Sequence, residues 1–365
     1  MTRRIAVIGA GGTIAMQGAH PFDWVDYGDS GIVLHVDRVV AEMDFGLAGV
    51  EVIPVPFRML PGTGITPADW LELRDAIRAV AADFHGIVVT HGTATLEETA
   101  YFLHLTLDEG LPVVVSGAQR PPNTVSSDAV AGLRAAIAAA AQAPPGVYVA
   151  MNAMLFAAED VTKTANHALD AFEAPEFGPL GRVEADGHLS LRRLPIGAAP
   201  FAGLAVGAGD LPRVDVVCSY AGADGTAIDA FVAAGARGIV STGFAPGRCT
   251  PAERAALIRA VRAGVTVVQS SRALRGAVPV QAYNVADGIL GGGGLSPAKA
   301  RIMTMLALAA GLSSEALQSL LSGSSIPAPR RHTHAPVVDP RANEVRQVPG
   351  AGIGRGPSQQ QVRLK

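Results

Sequence analysis

Short, almost uninterrupted apolar runs that alternate with longer amphipathic stretches restrict the fold of this sequence more than any other feature. RIAVIGA (4–10), VEVIPV (50–55), GIVVTH (86–91), LPVVVSGA (111–118) and GVYVAMN (146–152) have the length and β-branched content of buried strands. Helical stretches lie between them, for example residues 67–82 and 95–107. Thr95 with Glu98 has capping-box spacing, and Thr66-Pro67 with Asp69 is a weaker start signal. A second alternation follows in RVDVVCSY (213–220), GIVST (238–242) and VTVVQSS (265–271), with helices after Gly225, from Thr250-Pro251 and from Ser296-Pro297. Such alternation predicts an α/β fold, with a large N-terminal parallel-sheet domain, helices on both its faces, and a smaller C-terminal α/β domain. The expected boundaries are 1–188 for the first domain, 189–212 for a linker rich in Gly, Ala and Pro, and 213–325 for the second domain. Residues 326–365, rich in Pro, Gly, Gln and Arg, are expected to form a flexible basic tail.

Composition removes several classes of function. The chain has 365 residues, 49% hydrophobic and 17% charged, enough for two packed domains. A net charge of −3 gives no general attraction to nucleic acid or anionic membrane. No run approaches the roughly 20 apolar residues of a membrane helix. The apolar run near the N-terminus is too short for a signal peptide. Cys218 and Cys249 are too few for a disulfide framework or a Cys-rich metal site, and they suit a reducing cytoplasm. The expected location is therefore cytoplasmic, with neither nucleic acid nor membrane as partner.

In open α/β sheets, ligands bind beyond the carboxyl ends of the strands. Polar clusters at such ends are GAGGTIA with Thr13, THGTATLEE with Thr93 and Thr95, and AEDVTKTAN with Thr162, Lys163 and Thr164. Gly9-Ala10-Gly11 begins a dinucleotide fingerprint, but Ile14 occupies the place of its third small residue, and no acidic residue follows at the required spacing. The Gly pair is better read as backbone that passes close to a ligand and aims N–H groups at it. His20, His85, His91, His104 and His167 show no metal-ligand spacing, and His91 is expected to pack at the strand end. A hydroxyl needs a base to become a nucleophile. The chain holds only three lysines, Lys163, Lys299 and Lys365, and Lys163 is the one amine near these clusters. Lysine, unlike arginine, loses its proton when desolvated.

Together these clusters resemble the bacterial-type asparaginase family. The matching stretches are GGTIA, THGTATLEETAYFLHLT, SGAQRP, DVTKT, FGPLG, GIVSTG, SSR (270–272) and GGLSPAKAR, spread from residue 4 to about 320. The resemblance implies an asparaginase-like fold, no cofactor or metal, and hydrolysis of a small amide through a threonine acyl-enzyme. It also implies a homotetramer or homodimer in which a neighbour's C-terminal domain helps close each site. Thr13 matches the nucleophile, Thr93 the second active threonine, and Lys163 the lysine that works with it. Tyr27 lies where such enzymes carry a tyrosine near the nucleophile, in a segment with Gly18, Gly28 and Gly31 as candidate hinges. The family's glutamate in the Tyr–carboxylate relay is missing, and Asp23, Asp26 and Asp29 are the nearby substitutes.

The departures from the family pattern form a set. The aspartate that takes the substrate's ammonium group is replaced by Ala94. The loop expected to grip the α-carboxylate reads PVPFRML (54–60), which makes Arg58 and Met59 candidate substrate-binding residues. An expected asparagine is matched by Arg248 and an expected glutamate by Tyr283. The reading is an amidohydrolase with the family's reacting groups and a substrate other than free asparagine or glutamine. Arg58 and Arg248 are its candidate carboxylate anchors. An ordinary asparaginase or glutaminase, and a non-catalytic binding protein on the same scaffold, are the alternatives.

Overall fold

The structure, a computed structural model, describes residues 2–41, 45–108, 110–194, 199–207 and 209–323, with the backbone alone at residues 29 and 30. The tail expected over 326–365 lies outside the described residues.

The first part of the chain builds one eight-stranded sheet. Its strands are β1 (Arg3–Gly9), β2 (Val50–Val55), β3 (Gly86–Thr90), β4 (Pro112–Ser116), β5 (Gly146–Met151) and β6 (Met154–Ala157), then β9 (Gly181–Val183) and β10 (Leu189–Leu191). Between these last pairs, β7 (Thr162–Lys163) and β8 (Phe172–Glu173) form a separate antiparallel ribbon. The sheet order is β10-β9-β6-β5-β4-β3-β1-β2. β2, β1, β3, β4 and β5 run parallel, while β6, β9 and β10 pair antiparallel. β3 and β4 are buried throughout, as their unbroken apolar sequences require.

Two expectations are corrected here. The cluster carrying Lys163 does not follow GVYVAMN directly. Asn152 and Ala153, with φ of 50° and 59°, turn the chain back into β6 before Lys163 is reached. Nor is 189–212 a free linker, because it begins with edge strand β10 and its Phe201 is buried in the main core. An aromatic ring outweighs the Gly and Pro around it once a core is within reach.

Helices α1 (Val36–Ala41), α2 (Pro67–Val80), α3 (Leu96–Thr106) and α4 (Ala129–Gln142) accompany the first sheet. α4 packs against β3, β4 and β5 through buried Ala136 and Ala138–Ala141, so close that a Cβ at Gly86 would stand 2.1 Å from the Ala140 carbonyl oxygen. The capping signals exchange ranks. Thr66 and Asp69 form a complete capping box, whereas the Thr95 hydroxyl caps nothing and donates instead to Gly62 O at 2.6 Å.

The second alternation gives a parallel four-stranded sheet, β11 (Val214–Cys218), β12 (Gly238–Gly243), β13 (Thr266–Ser271) and β14 (Ile289–Gly291), in that order. Its helices are α5 (Thr226–Ala233), α6 (Pro251–Arg262), α7 (Ala282–Ala286), α8 (Pro297–Ala309) and α9 (Ser314–Leu321). α8 packs on this sheet and also on α3 of the first part. The main core therefore runs without a break from Val89 and Tyr101 through Ile302 to Val240 and Val268.

Candidate active site

Strand register brings the polar loops together. Gly9 of β1 pairs with Thr90 of β3, and Thr90 pairs with Ser116 of β4, so three chains leave the sheet in one row. The loops that follow carry Thr13, Thr93 and Gln119. They touch: a Cβ at Gly12 would stand 2.5 Å from Gly92 N, and one at Gly117 2.5 Å from His91 O. Gly11 and Gly12 have φ of 95° and 89°, which side-chain-bearing residues rarely adopt. These glycines thus serve close approach of backbone to backbone. His91 packs at the strand end as expected, fully buried, with Nδ1 2.8 Å from Gly92 O. Burial pushes its imidazole down to about 4, so it is neutral near pH 7.

Thr13 and Thr93 are both buried, and each hydroxyl has one close side-chain partner of a different kind. Thr13 Oγ1 lies 2.8 Å from the Tyr27 hydroxyl. Thr93 Oγ1 accepts from Lys163 Nζ at 2.8 Å. Lys163 Nζ also donates to Gln119 Oε1 at 3.3 Å, and Lys163 N donates to Glu97 Oε2 at 2.6 Å. Burial pushes the Lys163 ammonium below the ordinary lysine value of 10.5, and the Glu97 carboxylate pulls it partly back. Gln119 and Glu97 were not singled out from the sequence, although both sit in recognised stretches, SGAQRP and THGTATLEE.

The segment bearing Tyr27 is strapped to the loop after β4. Asn123 Oδ1 accepts from Gly18 N at 2.8 Å, and Asn123 Nδ2 donates to Gly18 O at 2.7 Å. Gly18 is a packing glycine rather than a hinge, since a Cβ there would press on Thr124 and Asp23; Gly28 and Gly31 have open space. Asp23 accepts from Ala19 N and Asp26 N at 2.9 and 3.0 Å, so its carboxylate is committed to the turn. The Asp29 side chain lies outside the described residues.

The substrate-binding candidates divide. Ala94 is exposed directly beside Thr93. Arg58 is corrected as an anchor: its guanidinium is held by the Asp69 carboxylate and by Glu72 at 2.6 Å, so its charge is already met within the chain. Met59 is half-buried against the core on the α4 side of the sheet, one residue before Leu60 bridges to Gly11. Arg248 and Tyr283 lie together in the second part, with the Arg248 guanidinium 4.7 Å from the centre of the Tyr283 ring. Arg254 stands at the same distance and is paired with Asp287. Among the described residues no hydrogen bond or ion pair joins Arg248 or Tyr283 to Thr13, Thr93 or Lys163 within the chain. Also among the described residues, no group of three His, Cys, Asp or Glu is placed to hold a metal, and no helix is long and apolar enough to cross a membrane.

Comparison with known proteins covers most of the described length. Residues 4–196 match the family model described as asparaginase, N-terminal, and residues 213–321 that described as glutaminase/asparaginase C-terminal domain. L-asparaginase 2 of Bacillus subtilis is 35% identical over 316 residues, covering 83% of this chain and 82% of its own. L-asparaginase 2 of Escherichia coli is 38% identical over 249 residues, covering 66% of this chain and 70% of its own. The crystal structure of a probable cytoplasmic L-asparaginase from Campylobacter jejuni superposes with a TM-score of 0.79 at 31% identity, covering 88% of this chain and 99% of that one.

Proposed function

The chain belongs to the asparaginase family, and we propose that it is an amidohydrolase that works through a Thr13 acyl-enzyme on a substrate without an α-ammonium group. The observation that carries this reading is the Lys163–Thr93 hydrogen bond at 2.8 Å beside the methyl group of Ala94. Bond-making groups stand together there, and position 94 offers no charge to an amine.

In this reading Thr13 Oγ1 attacks the substrate carbonyl carbon while its proton leaves along the hydrogen bond to Tyr27. Backbone N–H groups of the touching glycine turns hold the oxyanion. The C–N bond breaks as the Tyr27 hydroxyl hands a proton on to the leaving nitrogen, which leaves an ester on Thr13 and a neutral Tyr27. Water then cleaves that ester, giving up a proton through Thr93 to the neutral amine of Lys163, and the ammonium so formed gives a proton back to the departing Thr13 oxygen, which restores both groups. The sum is amide plus water to acid plus amine.

An α-ammonium brought to Ala94 would lose a charge-assisted bond of about 1.5–3 kcal/mol. That is roughly a tenfold to hundredfold loss of recognition. Arg248, with Tyr283 stacked on it, is the anchor we assign to a substrate carboxylate. It reaches the site from the C-terminal domain of a neighbour in a homotetramer or homodimer. A cytoplasmic location is supported by the two free cysteines and by the likeness to a protein titled cytoplasmic.

The names of the relatives favour a second reading, an ordinary L-asparaginase. Hydrolysis of L-asparagine, succinamate, succinimide and 2-pyrrolidone, read as ammonia from the first two and as ring-opened product from the cyclic pair, with Thr13→Ala as control, separates the two. Turnover of the amine-free compounds in preference to asparagine is the expected result. Asparagine turnover at the level of an ordinary asparaginase would establish the second reading, and silence on every compound would reject both.

A further inference from the structure

The reaction above has no use for Lys299, one of three lysines in the chain and 2% exposed. It lies in the first turn of α8, where the Ser296 hydroxyl accepts from its backbone N–H. Its side chain crosses from the second part of the molecule to the first. Nζ donates to Glu159 O at 2.7 Å and to Val161 O, and stands 5.8 Å from the centre of the Tyr101 ring on α3. Residues 157–161 form the turn that leads from β6 to β7, with Asp160 N and Val161 N both returning to Ala157 O. Lys163 follows Val161 by two residues.

A buried ammonium is costly unless its donors are satisfied. Here the partners are two backbone carbonyls of one turn, so the turn cannot shift without stranding the charge. The turn needs such a hold. Glu159, Asp160 and Thr162 border a cavity of about 600 Å³ that also meets Ser271 and Arg272 of the second part. The turn and Lys299 thus share one wall of open space. The carboxylates facing Lys299 are Glu97 on α3 and Glu159 and Asp160 on the turn. On α3, burial and the Lys299 charge together hold His104 down to about 4. Glu97 also faces Lys163.

We propose that Lys299 is a positioning residue for the reacting amine: by clamping the carbonyls of Glu159 and Val161 it sets Lys163 against Thr93, and so ties α8 to the chemistry. The inference rests on Lys163 acting as the base in the reading above.

The test is kcat and KM against pH for wild type, Lys299→Met, Lys299→Arg and Lys163→Met, on whichever of the four compounds is turned over fastest, with hydrogen exchange over residues 159–164. Lys299→Met is expected to fold and to lower kcat about tenfold to hundredfold, with kcat/KM, which ends at formation of the ester, little changed. Its loosened turn admits water to Lys163, so the acid limb of kcat moves up by on the order of one pH unit. Exchange over 159–164 quickens, and Lys299→Arg, which keeps the cation and its donors, regains most of the rate. A folded Lys299→Met enzyme with wild-type kcat and an unmoved limb overturns the proposal. Failure of that variant to fold overturns it as well, by assigning Lys299 to the fold at large. Lys163→Met distinguishes the two levels. If it stays active, the reading beneath falls; if it is inactive while Lys299→Met behaves as wild type, only this inference does.

Discussion

Thr13 and Thr93 are held by unlike means. Thr93 follows a fully buried strand and accepts from Lys163, which in turn donates to Gln119. Thr13 meets Tyr27, which comes from an exposed segment strapped down at Gly18 by Asn123. One hydroxyl belongs to an interlocked polar network, where displacing any member strands a buried group. The other depends on a surface segment that can be reshaped at little cost to the core.

Three substitutions probe that contrast. Thr13→Ala removes the nucleophile, and turnover is expected to fall by about a thousandfold or more with substrate binding kept. Binding without turnover, read by ligand-induced thermal shift, is the signature. Lys163→Met is expected to lower kcat by roughly a hundredfold to ten-thousandfold. In wild type the reacting form is the neutral amine, so the rate rises with pH through the Lys163 pKa. Because burial lowers that pKa, the rise comes below the ordinary lysine value of 10.5, and it disappears in Lys163→Met. Tyr27→Phe removes one hydrogen bond from an exposed segment and is expected to cost about tenfold to hundredfold in kcat. A larger loss from Tyr27→Phe than from Lys163→Met would break the comparison, since it would put the dominant hold on the surface side.

The sequence makes the central sheet legible for a plain reason. Strands buried on both faces need unbroken apolar runs, and β1, β3, β4 and β5 have them. β6, β9 and β10 are strands of only three or four residues whose pairing is decided by the neighbours they meet. Thr95 and Glu98 have capping-box spacing, but the Thr95 hydroxyl is claimed by Gly62 O in another loop. The reacting residues were visible as polar clusters at strand ends. Gln119 and Glu97 were not, because what matters about them is contact with Lys163, 44 and 66 residues away. Arg58 misled in the opposite way: a cation in a loop looks free until Asp69 and Glu72 are seen beside it.

The central claim is that the reacting groups persist while the place for an amine has been emptied. The most direct measurement is the ratio of kcat/KM for succinamate to that for L-asparagine, which differ only in the α-amine, in wild type and in Ala94→Asp. The account predicts a ratio well above one in wild type, lowered by roughly tenfold to hundredfold when the carboxylate is introduced. A wild-type ratio below one that Ala94→Asp leaves unchanged would contradict it.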